Sequence, residues 1–133
     1  MGVGAALLDT SVVIALARGE ISGDQVAEAA AEVVVSAVTI AGLHHGVLVA
    51  SPDVLAQRLH TLRFVEESCA VLPVDMDVAV HYGRIAADAR RLLGRRVGLG
   101  DGLIAATAVA YRLPLYTRDG DLDGLPGVHA IRV

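Results

Sequence analysis

The sequence predicts one α/β domain: a central parallel sheet of four or five strands flanked by helices. Three observations carry that expectation. Short apolar runs ending in Asp, Ser or Pro alternate with longer segments of helical spacing. Hydrophobic residues make up 54% of the chain, with one Phe, three Tyr and no Trp, so the core must be built from Val, Leu, Ile and Ala. That palette suits parallel strands buried on both faces. The 133 residues match one domain, taken as 1–133, large enough for a real core.

The elements follow in order. Gly4 to Leu8 reads as a buried strand, closed by Asp9 and by two hydroxyl residues, Thr10 and Ser11, that can start a helix. Val12, Val13, Ile14 and Leu16 would be the buried part of that helix. Gly19 to Asp24 is a polar turn, and Gln25 to Glu32 an Ala-rich short helix. The β-branched run Val33 to Val35 is a second strand, with Ser36 as N-cap of a helix from about Val38 to Val49. Ser51-Pro52-Asp53 stops that helix and starts the next, which reaches about Glu67. Ala70 to Val74 is a third strand, with Pro73 marking its end or a sheet edge. Asp77 opens a helix to about Leu93, and Gly94 to Gly100 is a loop. Asp101 opens a small-residue helix to Tyr111, Leu115 to Thr117 is a fourth strand, and Val128 to Val133 is the last.

Composition excludes several functions. The net charge is −4, so the chain does not coat nucleic acid with a general basic surface. All eleven basic residues are Arg, which removes every mechanism that needs a Lys, P-loop phosphate binding included. It also tells against receiver domains and haloacid-dehalogenase-type phosphotransferases, which pair their acids with a Lys. The single Cys69 allows neither an internal disulfide nor a Cys-based zinc site and suits a reducing, cytoplasmic setting. The start of the chain lacks the basic region of a signal peptide, and Ala6 breaks the myristoylation pattern. Val33 to Pro52 is uncharged and long enough for a bilayer, but its Ser, Thr, Gly and His residues divide it into strand plus helix, and no membrane association is expected.

In open α/β sheets the ligand crevice lies beyond the carboxyl ends of the strands. Asp9 follows strand one, Asp101 starts a helix, and Asp119, with Asp121 and Asp123 nearby, follows strand four. Each has a plain alternative. Asp9 and Asp101 can cap helices, and Asp119, Asp121 and Asp123 are ordinary loop residues among glycines. If the strands are neighbours, however, the acids converge. Clustered carboxylates repel unless a cation compensates them. Mg²⁺ or Mn²⁺ prefers such oxygen ligands and can activate water against a phosphodiester, which points to metal-assisted hydrolysis.

Four segments then carry a resemblance: Leu7-Leu8-Asp9-Thr10-Ser11, Ser36-Ala37-Val38-Thr39-Ile40, Gly100-Asp101-Gly102-Leu103-Ile104-Ala105-Ala106-Thr107-Ala108 and Tyr116-Thr117-Arg118-Asp119. In order and spacing the chain resembles PIN-domain ribonucleases along essentially its whole length, and more narrowly VapC-type toxins of bacterial type II toxin–antitoxin systems. The resemblance implies an Mg²⁺- or Mn²⁺-dependent endoribonuclease cutting structured RNA, tRNA or rRNA. Asp9, Asp101 and Asp119 would be the metal ligands, with Asp121 as a substitute or outer partner. Thr10, Ser11 and Thr117 would orient carboxylates or waters. It further implies a VapB-type antitoxin as partner and a homodimer; the apolar helices near 11–18 and 38–66 would supply the dimer face and the antitoxin groove.

One position departs from the family. Gly42 stands where the pattern has Glu. Glycine inside a helix costs about 1 kcal/mol relative to Ala, and nothing local asks for a kink. Gly42 is either an inactivating substitution or a natural variant whose site is completed by water or by Glu28 or Glu32. In both cases impaired cleavage is expected. The alternatives are a catalytically silent PIN-like module that binds antitoxin or RNA, and a structure-specific DNA nuclease of the same broad fold. His44 and His45 are adjacent on one helix, so they point about 100° apart and suit packing or surface roles better than ligation. Five arginines fall within residues 84–96, among them Arg91, Arg95 and Arg96, expected either on a solvated helix face or along an RNA-phosphate track. Gly98-Leu99-Gly100 follows a helix, not a strand, so it is no dinucleotide fingerprint.

Overall fold

The structure is a computed structural model that describes residues 3–27 and 30–133. Five strands form one parallel sheet in the order β3-β2-β1-β4-β5. They are β1 (Val3–Leu8), β2 (Ala30–Ser36), β3 (Ala70–Leu72), β4 (Leu115–Thr117) and β5 (Ala130–Arg132). The helices are α1 (Thr10–Ala17), α2 (Gly23–Ala27), α3 (Ala37–Leu48), α4 (Pro52–Ser68), α5 (Met76–Leu93) and α6 (Leu99–Ala110). None is long and apolar enough to cross a membrane.

Side chains alternate across each strand, and the two faces fill two cores. Leu7, Val34 and Leu115 point into a core shared with Val78, Ile85 and Ala89 of α5 and Ile104, Ala105 and Ala108 of α6. Ala6, Leu8, Val35 and Tyr116 point the other way, onto Val12 and Val13 of α1, Leu43 of α3 and Leu62 and Val65 of α4. The small residues of α6 let it lie close against α5. At Gly102 a Cβ would come within 2.5 Å of the Tyr82 ring, so this crossing requires glycine.

Several boundaries differ from the sequence expectation. The helix expected over residues 25–32 is instead α2, which ends at Ala27, and a longer β2 that begins at Ala30; Glu28 lies outside the described residues. Pairing with β1, from Val3↔Ala30 to Leu7↔Val34, overrides the helical preference of alanine and glutamate. Helix α5 starts before Asp77, because Asp75 caps it by accepting from Val78 N at 3.0 Å. Helix α6 takes in Leu99 and Gly100, which were assigned to a loop, and Gly98 is its N-cap. Strands β3 and β5 are shorter than expected, three residues each.

Candidate active site

The sheet order reverses at β1: the chain builds outward through β2 and β3, then returns to place β4 on the other side of β1. The crevice of a parallel sheet opens at such a switch point, beyond the strand carboxyl ends. Asp9 leaves β1 there, and Thr117 ends β4 beside it, where Asp9 N donates to Tyr116 O at 3.0 Å.

Asp9 is buried, with only 3% of its surface exposed, and both carboxylate oxygens are engaged. Oδ1 accepts from Ser11 Oγ at 2.6 Å and from Val12 N at 3.1 Å, which also caps α1. Oδ2 accepts from Thr117 Oγ1 at 2.5 Å. The same Thr117 oxygen accepts from Asp119 N at 2.9 Å, and Ser11 Oγ accepts from Arg118 N at 3.1 Å. Two hydroxyls therefore tie the loop after β4 to the carboxylate after β1. Asp119 Oδ1 in turn accepts from Asp121 N at 2.9 Å, which folds that loop back on itself.

Asp101 reaches the same region from α6. It is the third residue of that helix, not its N-cap, so the capping role expected for it is taken by Gly98, which has no side chain to bond. Partial burial raises the Asp101 carboxyl above its ordinary value, and the charges of Asp119, Asp9 and Asp121 push it the same way. Among the described residues, none of Asp9, Asp101 and Asp119 has an Arg or His partner in an ion pair. The four acids thus share one negative field that no ion pair to Asp9, Asp101 or Asp119 offsets among the described residues, with Asp121 and Asp101 lining one cavity. Among the described residues no three His, Cys, Asp or Glu side chains close into a metal-ligating group. The donor set is nonetheless one that fits a hard divalent cation: carboxylate oxygens beside hydroxyls, with no nitrogen or sulfur donor among them.

The Thr10 hydroxyl bonds Thr39 Oγ1 at 3.1 Å and, among the described residues, no carboxylate. Thr39 is buried and fastens α3 to the start of α1, a contact that sequence gave no signal for, since the partners are 29 residues apart. Gly42 lies one turn further along α3 and is exposed. With Thr10, Ile14, Arg18, Leu43 and Arg58 it lines a cavity of about 400 Å³ between α1, α3 and α4. Its φ is not positive, and an added Cβ would meet nothing within 4 Å. The backbone does not require glycine there. Glu32, considered as a replacement acid, sits in β2 four residues before the carboxyl end, about 13 Å up the strand, and cannot reach the crevice. Glu28 lies outside the described residues.

The other expected residues separate. His44 and His45 are exposed on α3, as surface residues. Asp123 is exposed in the loop before β5. Arg95 and Arg96 line the cavity that holds Asp101 and Asp121, and Arg95 Nη2 donates to the Asp121 carbonyl. Arg91 does not line it: it pairs with Asp88 on the outside of α5, 2.5 Å away. Arg90, another of the five clustered arginines, lines a neighbouring cavity. Helix phase could have found it, because Tyr82, Ala86 and Arg90 repeat at a spacing of four.

Comparison with known proteins identifies the family and the fold. The family model of the PIN domain matches residues 6–128. Ribonuclease VapC5 of Mycobacterium tuberculosis is 43% identical, covering 97% of this chain and 96% of that protein. Ribonuclease VapC4 of the same organism is 36% identical over the full length of both. The crystal structure of VapBC-5 from Mycobacterium tuberculosis, a member of the VapBC family of toxin–antitoxin systems, superposes with a TM-score of 0.77 at 39% identity, covering 97% of this chain and 98% of that one. VapBC2 from Rickettsia felis reaches a TM-score of 0.80 at 17% identity, covering 96% of this chain and 98% of that one, a likeness of fold.

Proposed function

The chain belongs to the PIN domain family, among its VapC-type ribonuclease toxins, and from that premise we propose that it is the toxin of a type II toxin–antitoxin pair, an endoribonuclease that depends on Mg²⁺ or Mn²⁺. The observation that carries the reading is the gathering of four acids at the switch point, where Asp9, Asp101 and Asp119 have no ion-pair partner among the described residues. Asp9, Asp101 and Asp119 would hold the cation, with Asp121 at the rim. When bound, the ion neutralises the carboxylates, polarises the phosphodiester and supplies an activated water.

The chain's own residues do the positioning. Ser11 and Thr117 fix both oxygens of Asp9 and so set the direction of the central carboxylate. The same hydroxyls accept from the backbone of Arg118 and Asp119, which fastens the start of that loop to the Asp9 carboxylate. Tyr116 and Leu8, both buried, form a dry floor beneath them.

Gly42 leaves the crevice one carboxylate short, and cleavage by this chain is weak. The substrate is structured RNA, tRNA or rRNA. A VapB-type antitoxin occupies the groove between α1, α3 and α4, the toxin pairs with a second copy of itself, and the pair works in the cytoplasm. The open space at residue 42 makes the test clean, since Gly42→Glu adds a side chain without a clash. With Mn²⁺ and a tRNA substrate, Gly42→Glu should cleave about 100-fold faster than the unaltered chain, the scale of one lost catalytic group. Equal rates overturn the impairment. Absence of cleavage and of Mn²⁺ binding in both proteins replaces the enzyme reading with that of a silent binding module, the alternative that Gly42 favours.

A further inference from the structure

Two cavities meet beside the acidic centre. One, of about 270 Å³, is lined by Arg95, Arg96, Val97 and Gly98 together with Asp101 and Asp121. The other, of about 280 Å³, is lined by Tyr82, Ala86, Ala87, Arg90, Arg96 and Val97. Arg96 and Val97 line both, so the two cavities adjoin there and are taken together as one trough. It leads from Asp101, past the loop between α5 and α6, and back along α5.

The charges along the trough are ordered. Acids stand at one end, and three arginines line the rest. Arg95 spends one nitrogen on the Asp121 carbonyl, which holds it across the mouth with its remaining donors open. Neither Arg90 nor Arg96 has a carboxylate partner among the described residues. Helix α6 begins at Gly98, on the wall of the same trough, with no side chain to bond its first N–H groups. On a protein of net charge −4, three arginines this close together are a local exception. Their surroundings give the ligand's class. A row of arginines with no carboxylate partner at Arg90 and Arg96 suits a nucleic-acid backbone, whose phosphates take guanidinium bonds in turn.

We propose that Arg90, Arg95 and Arg96 form a phosphate track that carries a single-stranded stretch of the RNA substrate away from the acidic centre along α5, and that Arg91 lies outside it. The proposal rests on the ribonuclease reading and adds the direction in which substrate leaves the site. Arg91 is the internal control. It is the direct chain neighbour of Arg90 and carries the same charge, but it faces solvent and pairs with Asp88.

The test is a binding titration, so it does not depend on cleavage. A fluorescent single-stranded RNA of about ten nucleotides, within the span such grooves cover, is titrated by anisotropy with chelator present. Arg96→Ala should weaken binding about tenfold and Arg90→Ala severalfold, each lowering the slope of log Kd against log salt by about 0.7. Arg91→Ala removes the same charge and should stay within about twofold of the unaltered chain. Circular dichroism confirms that each variant is folded, and Arg95→Ala is read only alongside Arg96→Ala, because it also releases the Asp121 carbonyl. Equal losses at positions 90, 91 and 96 indicate a diffuse charge effect and overturn the track. Binding that survives Arg90→Ala and Arg96→Ala overturns it as well, while leaving the ribonuclease reading in place. No RNA binding by the unaltered chain overturns both. Preferential competition by duplex RNA overturns the single-strand assignment.

Discussion

Helices α5 and α6 pack side by side, each has an aspartate at its start, and the two aspartates are used in opposite ways. Asp75 serves its own helix. It caps α5 by accepting from Val78 N, takes a second bond from Tyr111 Oη at 3.0 Å, and these bonds hold its carboxyl below the ordinary value. Asp101 makes no capping bond to α6. It sits at the third position and is pushed above the ordinary value by burial and by three neighbouring acids. Folding stabilises the charge of one and opposes the charge of the other. A carboxylate kept where its ionised form is penalised is a candidate for function, because structure alone gives no reason for it.

The largest expected effect splits the pair by activity. In the Gly42→Glu background, Asp101→Asn should lower RNA cleavage by about 100-fold or more and raise the melting temperature, since it removes a repelled charge. Asp75→Asn in the same background should leave cleavage unchanged. If both substitutions reduced cleavage alike, the contrast between the two helix starts would have no functional content. Melting curves with and without Mn²⁺ sharpen it: the ion should stabilise the unaltered chain and lose most of that effect in Asp101→Asn.

Asp9 combines the two uses, and that combination makes it structurally expensive to disturb. It caps α1 like Asp75 and stands in the acidic field like Asp101. Thr117→Val keeps the shape of the side chain but removes the hydroxyl that donates to the buried Asp9 Oδ2 and accepts from the half-buried Asp119 N. Leaving those groups unpaired should cost about 1–3 kcal/mol in urea unfolding. Ser11→Ala should cost less, because Asp9 Oδ1 keeps its bond from Val12 N. A Ser11→Ala loss equal to that of Thr117→Val would mean that burial, and not the hydrogen-bond count, sets the cost.

These contrasts mark what a sequence can and cannot disclose. The buried run ending at Asp9, the cap at Ser36, the helix start at Pro52, and the order of strands and helices follow from local chemistry, and local chemistry is visible in the chain. The convergence of Asp9, Asp101 and Asp119 could be inferred once strand order was assumed. The partners that hold them could not: Thr117 bonds Asp9 across 108 residues and Thr39 meets Thr10 across 29. Tertiary pairing also reversed a propensity, drawing Ala30 to Glu32 into β2 against their helical preference. Asp101 looked like a cap because the true cap, Gly98, has no side chain by which to announce itself. Which of the clustered arginines lines a cavity depends on the phase of α5: Arg90 lines one, and Arg91 pairs with Asp88 instead.

The smallest effect is a pair of opposed pH dependences, and it isolates charge from shape. The Asp75 carboxyl titrates below its ordinary value of 3.8 in the folded chain, so its stabilising contribution is complete above 3.8 and is lost as pH falls through the lower folded value. The Asp101 carboxyl titrates above 3.8 when folded. Across the interval from 3.8 up to that raised value the folded chain binds more protons than the unfolded one, so stability falls as pH rises, and the whole penalty stands above it. Asparagine can still cap a helix, so Asp75→Asn removes the charge and little else. The melting temperature of Asp75→Asn should therefore lie slightly below that of the unaltered chain near neutrality, with the gap closing in acid. Asp101→Asn should lie above it near neutrality and converge on it in acid from the other side. Gaps of the same sign in both variants would place the two aspartates in one class, whatever their hydrogen bonds suggest.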